Sequence, residues 1–294
     1  SEKGYPHVSV DPGVEVSPDR TAARLTYKVE PGPRVRMGEV FFIGNFHTRQ
    51  RVLDREIEIR AGEPFSLSRM LASQRNIRSI NAVDTARFET FGLEERAGRV
   101  DMIAKIQEIR PYFVELATGY DTQRLFYVHA AAGNRNLFGL NKQGRISLEW
   151  SQIGYRADLD YSEPKFLRTQ ISAISNLFAE KREELNQNFG VRTYGASQGF
   201  SRQITSRLSA SLNFRYESRD QYRTDEQPIP AEEAEQYRPR TLVAASPGLA
   251  YTSTDAFLRP SRGVRASATV DLSRGLDNSL DDFLKYRLDA RYYY

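Results

Sequence analysis

Apolar and polar residues alternate strictly along several stretches in the second half of the chain. The clearest stretch is 208–216, where every second residue is apolar and the residues between are polar or charged. Successive side chains of a strand point to opposite sides of a sheet, so this period predicts strands with one apolar and one polar face. Residues 155–162 and 264–273 repeat the pattern. The region 111–294 is therefore predicted to be a series of antiparallel β-strands.

A soluble β-sandwich also has alternating apolar and polar residues in its strands. Strand length and the placement of aromatic residues distinguish a membrane barrel from it. Strands of soluble proteins average about five or six residues, whereas these run to about ten. Aromatic residues also crowd the strand ends, which is typical of interfacial girdles. These aromatics are Tyr120, Phe126, Phe166, Tyr216, Tyr251 and Tyr292. The pattern predicts a barrel whose apolar face contacts lipid and whose polar face contacts water.

Composition narrows the functional classes. Hydrophobic residues make up 39% of the chain, the mean hydropathy is −0.59 and no run of about 18 apolar residues occurs, which excludes transmembrane helices. The 42 basic and 38 acidic residues are interspersed, so no nucleic-acid partner is expected. The absence of cysteine removes disulfides and thiolate metal sites. No cofactor is expected.

Residues 34–110 mix helical and strand patterns and are predicted to form a separate α+β domain. Thr48 and Ser66 are placed as N-caps before two amphipathic stretches. The predicted order is a strand at 35–43, helices at 50–58 and after Ser66, and strands at 85–91 and 99–109.

Residues 1–33 resemble the end of an earlier copy of this domain. Strands are predicted at 7–16 and 21–29, joined by a polar turn at 17–20. Proline-containing links follow at 30–33 and at 110–111, where a missing amide and a fixed φ interrupt pairing. The predicted domains are therefore 1–33, 34–110 and 111–294.

Short motifs in sequence order resemble one family. Residues 27–33, 38–45 and 55–57 resemble a POTRA domain, the periplasmic repeat of the BamA/TamA family in the outer membrane protein 85 superfamily. Residues 81–83 (Asn, Ala, Val) depart from the Gly and aromatic that the family often has there. The similarity continues into the barrel region at 119–122, 134–139, 161–164 and 255–263.

The resemblance implies an α+β POTRA domain followed by an antiparallel transmembrane β-barrel. About ten of the family's sixteen strands are predicted here. The family's Arg-Gly-aromatic lumen loop has no counterpart, so the sequence is expected to be truncated at both ends. The implied location is the bacterial outer membrane, with the POTRA part in the periplasm.

Two strand edges are the predicted functional sites. A POTRA edge strand would capture extended clients by β-augmentation, and proline at Arg87 or Glu89 would block it. It consists of Thr85, Ala86, Arg87, Phe88, Glu89, Thr90 and Phe91. The resemblance implies that the first barrel strand lies at a seam that opens and templates client hairpins. This strand contains Tyr112, Phe113, Val114, Glu115, Leu116, Ala117, Thr118 and Gly119.

The expected partners are unfolded outer-membrane protein clients, outer-membrane lipid and accessory periplasmic or lipoprotein subunits. The function is predicted to be outer-membrane protein assembly and not enzymatic catalysis. One alternative is a dedicated exporter of the two-partner secretion type. Another is a passive porin or adhesin, which would carry no POTRA domain.

Other motifs favour ordinary structural roles. Residues 195–199 match the G-x-S-x-G pattern of a hydrolase nucleophile, but they are placed late in a strand. His7, His47 and His129 lack metal-ligand spacing. Insertions at 180–188 and 218–240 are predicted to be outer loops, and the acidic Glu232, Glu233 and Glu235 are predicted to be solvated.

Overall fold

The computed structural model describes residues 3–17, 21–185, 187–225, 234–235, 237–256, 258–277 and 281–294. These residues form two compact units. The first contains Ser1–Pro111 together with Phe138–Asn141, and the second contains Tyr112–Leu137 and Lys142–Tyr294. In the described ranges, no helix is long and apolar enough to cross a membrane.

The first unit begins with an antiparallel hairpin of β1 (Ser9–Val16) and β2 (Ala23–Glu30). Its register pairs Val10 with Val29 and Val14 with Leu25, so the apolar residues share one face. Each strand starts two residues later than predicted. Most of the predicted turn at 17–20 lies outside the described residues.

The rest of the first unit has the predicted order of strand, helix, helix, strand and strand. Its elements are β3 (Arg36–Ile43), α1 (Gln50–Asp54), α2 (Leu67–Arg78), β4 (Val83–Phe91) and β5 (Arg99–Glu108). The sheet order is β3-β5-β4, with β3 parallel and β4 antiparallel to the central β5. The parallel pair requires a long crossover, and the two helices provide it.

Two buried clusters hold this domain together. Leu53 and Ile77 from the helices pack with Ala104 and Ile106 of β5, and Met37 packs with other residues in the second cluster. Burying each large side chain contributes about 1.5 to 3 kcal/mol. The alternation of β5 directs its even-numbered residues into this core.

The first helix differs from its prediction. It ends at Asp54 instead of residue 58, because Glu56 and Ile57 donate to carbonyls three residues back and the chain then turns Ile59 into the core. Thr48 is not its N-cap. The N-cap residue is Arg49, whose side chain makes no capping hydrogen bond. Thr48 N instead donates to Glu108 Oε1 at 2.7 Å.

Glu108 ties the end of β5 to the loop before α1. Its carboxylate also accepts from His47 N at 2.7 Å, and its side chain is only 4% exposed. Burial acts to raise the pKa of Glu108, but hydrogen bonds from Thr48 and His47 together hold the pKa below its usual value. By contrast, the predicted N-cap of α2 is confirmed, since the Ser66 side chain accepts from Arg69 N.

The second unit is an antiparallel sheet of ten strands among the described residues, in the order β15 to β6 along the sheet. This matches the predicted class and strand number. The strands are β6 (Tyr112–Asp121), β7 (Leu125–Asn134), β8 (Gln143–Ser151), β9 (Gly154–Glu163), β10 (Ile171–Glu183), β11 (Phe189–Gln203), β12 (Leu208–Arg223), β13 (Arg240–Thr252), β14 (Gly263–Gly275) and β15 (Phe283–Tyr293). Each strand pairs with its neighbours in sequence, and β6 and β15 form the two edges.

The faces of this sheet follow the predicted alternation. Leu212, Phe214 and Tyr216 lie on what we call the apolar face. The opposite polar face carries ion pairs, for example Arg156 with Asp158 at 2.8 Å and with Glu180 at 2.9 Å. The sheet therefore separates an apolar surface from a charged one, as a membrane barrel wall requires.

The predicted outer loops are shorter than expected. β10 continues to Glu183, β11 begins at Phe189, and β12 continues to Arg223, so strand pairing extends into both polar insertions. Polar residues can continue a ladder above the bilayer, because both faces of the strand are then in water. Glu232 and Glu233 lie outside the described residues.

Candidate functional site

The strand β4 is an edge of the three-stranded sheet, because β5 lies between β3 and β4. It contains the whole predicted edge strand from Thr85 to Phe91. In the described part of the chain, β4 pairs with β5 alone. Every second residue of such a strand directs its backbone N–H and C=O away from the sheet. An added strand would bind these groups.

Two contacts identify which residues of β4 have these outward groups. Gly44 directly follows β3, and Ile106 lies on β5. A Cβ on Gly44 would collide with the Ile106 carbonyl, so Ile106 directs its backbone groups toward β3. Ile106 is the register partner of Ala86. Gln74 Nε2 donates to Ala86 O at 2.7 Å, from outside the β4–β5 ladder. The residues with outward backbone groups are therefore Ala86, Phe88 and Thr90.

Arg87 and Glu89 do not have outward amides. Alternation directs their backbone groups toward Lys105 and Ile103 of β5, so proline at either position would break the sheet's own ladder. Their side chains lie on the face away from the helices, where Lys105 Nζ donates to Glu89 Oε1 at 2.7 Å. Because this pair is about half exposed, it contributes at most about 1 kcal/mol.

The opposite edge of the sheet is partly covered. Met37 N donates to Glu63 O at 2.8 Å, and Gly62 N donates to Met37 O at 2.7 Å. Phe65 N donates to Val35 O at 3.0 Å. The segment 62–65 thus occupies the ladder groups at the start of β3. Among the described residues, β4 is left as the longer open edge.

The strand β6 is an edge of the ten-stranded sheet and pairs with β7 alone in the described ranges. It contains the predicted seam residues from Tyr112 to Gly119. On its apolar face, Leu116 is 78% exposed and Tyr112 is 75% exposed. Among the described residues, this edge combines unpaired backbone groups with exposed apolar side chains.

The register also identifies the outward groups of β6. Phe126 O accepts from Gln152 N at 3.1 Å, so the backbone groups of Phe126 point toward β8. The backbone groups of its neighbour Tyr127 therefore point toward β6. Thr118 Oγ1 accordingly donates to Tyr127 O at 3.1 Å. Gly119 is the partner of Tyr127 and uses its backbone groups for β7. The outward groups belong to the alternate residues Val114, Leu116 and Thr118.

Among the described residues, four cross-strand pairs in which an aromatic ring covers a glycine were not predicted from the sequence. They are Gly119 with Tyr127, Gly133 with Phe113, Gly190 with Tyr222, and Gly195 with Phe178. In each pair the ring lies over the glycine, where a Cβ would collide with it. Each ring also has an arginine guanidinium 3.9 to 5.1 Å from its centroid. The partners lie on different strands, so the pairs cannot be assigned before the register is known.

The residues weighed for catalysis lie on different elements of the fold. Ser197 is in the middle of β11 opposite Asn176, and no strand-to-helix turn surrounds it. His129 lies in the second unit, and His47 hydrogen bonds to Glu108 in the first. The described residues contain no group of three or more metal-ligating side chains that could hold an ion.

Comparison with known proteins identifies two domain types. The profile described as "Omp85 superfamily domain" matches residues 136–294, and the POTRA profile, described as "Surface antigen variable number repeat", matches residues 35–108. The outer membrane protein assembly factor BamA of Neisseria meningitidis serogroup B is 20% identical over 190 residues, which are 65% of this chain and 24% of that protein. The chain thus spans about a quarter of the length of the first curated relatives it matches.

Solved structures share the fold. BamA from Haemophilus ducreyi lacking POTRA domains 1–3 has a TM-score of 0.70 and 19% identity, covering 98% of this chain and 57% of that one. CdiB from Acinetobacter baumannii has a TM-score of 0.58 and 14% identity, covering 99% and 53%. The ten-stranded sheet of this chain corresponds to part of a BamA-like barrel.

Proposed function

The chain belongs to the Omp85 superfamily and is of the BamA/TamA type, and we propose that it is part of an outer-membrane protein assembly factor. Its location is the outer membrane, with the POTRA domain in the periplasm. Its partners would be unfolded outer-membrane proteins, membrane lipid and accessory subunits. We propose that both strand edges act by binding and templating client strands, without a catalytic step.

We also propose a division into three parts. Residues 1–33 would be the C-terminal part of a preceding POTRA domain, 34–110 a POTRA domain and 111–294 the N-terminal part of the barrel. The β1–β2 hairpin pairs like β4 with β5 and has a similarly apolar face, which supports a repeated unit.

One observation supports client capture at β4, namely that the outward backbone groups of this strand have no strand partner among the described residues. Each backbone hydrogen bond to an added strand contributes about 0.5 to 1.5 kcal/mol and reads little of the client's sequence. Gln74 already occupies the Ala86 carbonyl. The groups left for a client are therefore the Ala86 N–H and the backbone groups of Phe88 and Thr90. Phe91 adds a 52% exposed apolar side chain beside them.

The barrel edge β6 would receive the client next. Its outward groups at Val114, Leu116 and Thr118 can pair with a client strand while its exposed apolar side chains face lipid. Pairing satisfies backbone groups that would otherwise cost several kcal/mol each in hydrocarbon. An edge that is reversibly open can thereby template a hairpin without any chemical step.

Proline substitution in the whole protein tests this proposal. Thr90→Pro removes an outward N–H but no bond to β5, so the domain should fold while crosslinking of a client barrel protein to position 91 falls about tenfold. Thr90→Ala is the matched control, since it loses the same side chain and keeps the amide. Glu89→Pro should instead destabilise the domain itself.

The corresponding change on the barrel edge is Leu116→Pro, with Leu116→Ala as its control. It should reduce the assembly rate of a client barrel in proteoliposomes while leaving capture at position 91 intact. Normal capture and assembly by folded Thr90→Pro protein would exclude β4 as the client site. Normal assembly by Leu116→Pro would exclude β6 as the template.

A further inference from the structure

A groove runs along β13 on the apolar face of the ten-stranded sheet. Ala245 lies between its register partners Phe214 on β12 and Leu272 on β14, so one small side chain is flanked by two large ones. The groove encloses about 340 Å³. Pro247, two residues along β13, shares this face and pairs with Leu212. The groove is also lined by Val243, Ala244, Phe283 and the polar Ser273.

An arginine stands at one end of this groove. The next register row is Tyr216, Val243 and Arg274, so Arg274 shares the apolar face and follows Leu272 directly. In the described ranges, no carboxylate oxygen lies within 4 Å of its guanidinium nitrogens. The neighbouring Asp271 pairs with Arg287, and Asp282 Oδ1 accepts from Gly275 N at 2.7 Å. Within the part of the chain that the structure describes, Arg274 is thus an exposed cation without a protein anion.

Strand direction places Arg274 at the outer boundary of the membrane. The POTRA domain is periplasmic, so β6 runs outward and each following strand reverses direction. β14 is the ninth strand of this series and also runs outward. On the apolar face of β14, Arg274 is the charged residue that follows a row of apolar side chains. That row on β14 consists of Val264, Ala266, Ala268, Val270 and Leu272.

We propose that this surface binds an outer-leaflet lipid that has a phosphate headgroup. The phosphate contacts Arg274, and one acyl chain lies in the groove over Ala245. An apolar groove alone fits any hydrocarbon, but a cation at the headgroup level adds complementarity to an anionic lipid. The lipid site does not depend on client capture by either strand edge.

Lipid retention tests the site in the whole protein, purified in detergent and analysed by native mass spectrometry. Added dimyristoyl phosphatidic acid should be retained about fivefold better than dimyristoylglycerol, which lacks the phosphate. Arg274→Gln should abolish this preference, and Arg274→Lys should keep it. Ala245→Phe should fill the groove and reduce retention of both lipids.

Arg291→Gln is the matched control, since Arg291 is exposed on the polar face of β15 beside Asp289 and should leave retention unchanged. Inorganic phosphate at the same concentration should not displace the lipid. Full displacement would indicate a free-phosphate site and overturn the proposal. An unchanged preference in folded Arg274→Gln, or equal loss in Arg291→Gln, would also overturn it.

Discussion

Two glycines of β11 show how single residues of the sheet are constrained by their cross-strand partners. Gly195 lies under the ring of Phe178, its register partner, and a Cβ there would collide with the ring. Gly199 is four residues further along the same strand. A Cβ there would meet Asn213 Oδ1 at 3.6 Å, an ordinary van der Waals contact.

Gly195→Ala should therefore destabilise the barrel by about 1 to 3 kcal/mol, the usual cost of overpacking. Gly199→Ala, its control, should be neutral or slightly stabilising, because alanine restricts the unfolded chain more than glycine. Urea unfolding of the whole protein in lipid vesicles measures both. Phe178→Leu should partly rescue Gly195→Ala, and equal stability of the two alanine variants would contradict the stacked arrangement.

Asp255 organises the turn between β13 and β14. Its Oδ1 accepts from the N–H groups of Ala256, Ser261 and Arg262 at 2.9 to 3.0 Å, and the Ser261 hydroxyl donates to Oδ2. These bonds, led by that of the Ser261 hydroxyl, lower the pKa of Asp255 from 3.8 to about 2.

A lowered pKa implies stabilisation that is present above pH 3.8 and lost as the pH falls through about 2. Asp255→Asn should lower the thermal unfolding midpoint near neutral pH, and its difference from wild type should shrink between about pH 4 and pH 2. Asp277→Asn, an exposed aspartate at the other end of the sheet, serves as the control. A difference that stayed constant across this range would show that the charge of Asp255 has no part in holding the turn.

At the scale of secondary-structure elements, substitutions in β12 test which face of the sheet contacts lipid. Leu212 lies on the apolar face and is 36% exposed, and its neighbour Ser211 lies on the polar face. Leu212→Arg should destabilise membrane insertion by about 2 to 4 kcal/mol if the site is near the bilayer centre, whereas Ser211→Arg should be mild. Folding into lipid vesicles, followed by electrophoretic mobility, compares them. Equal tolerance would contradict the assignment of the two faces.

At the scale of the whole molecule, we expect the two edges of the ten-stranded sheet to determine the oligomeric state in lipid. β6 and β15 are not paired with each other, and unsatisfied backbone groups cost several kcal/mol each in hydrocarbon. The 294-residue chain expressed by itself should therefore give mixed oligomers in lipid nanodiscs. Native mass spectrometry measures this distribution, and a single closed monomer would contradict the open arrangement.

Local sequence patterns determined much of this architecture. A period of two predicted the strands and their faces, because alternate side chains of a strand must meet different surroundings. The Ser66 cap and the order of elements in 34–110 were predicted from local signals as well. The replacement of Thr48 as the N-cap of α1 was missed, because the buried Glu108 that binds Thr48 N comes from a distant strand. The early end of α1 was missed, because it depends on the packing of Ile59 into the core.

The strand edges depended on tertiary structure for their detailed assignment. The sequence named Thr85 to Phe91 as an edge, but only the ladder between β4 and β5 assigned the outward groups to Ala86, Phe88 and Thr90. The glycine and aromatic pairs and the row of Tyr216, Val243 and Arg274 likewise depend on register. Register is set by pairing between distant segments, and a shift of one residue would reverse every side chain, so local patterns alone cannot specify these contacts.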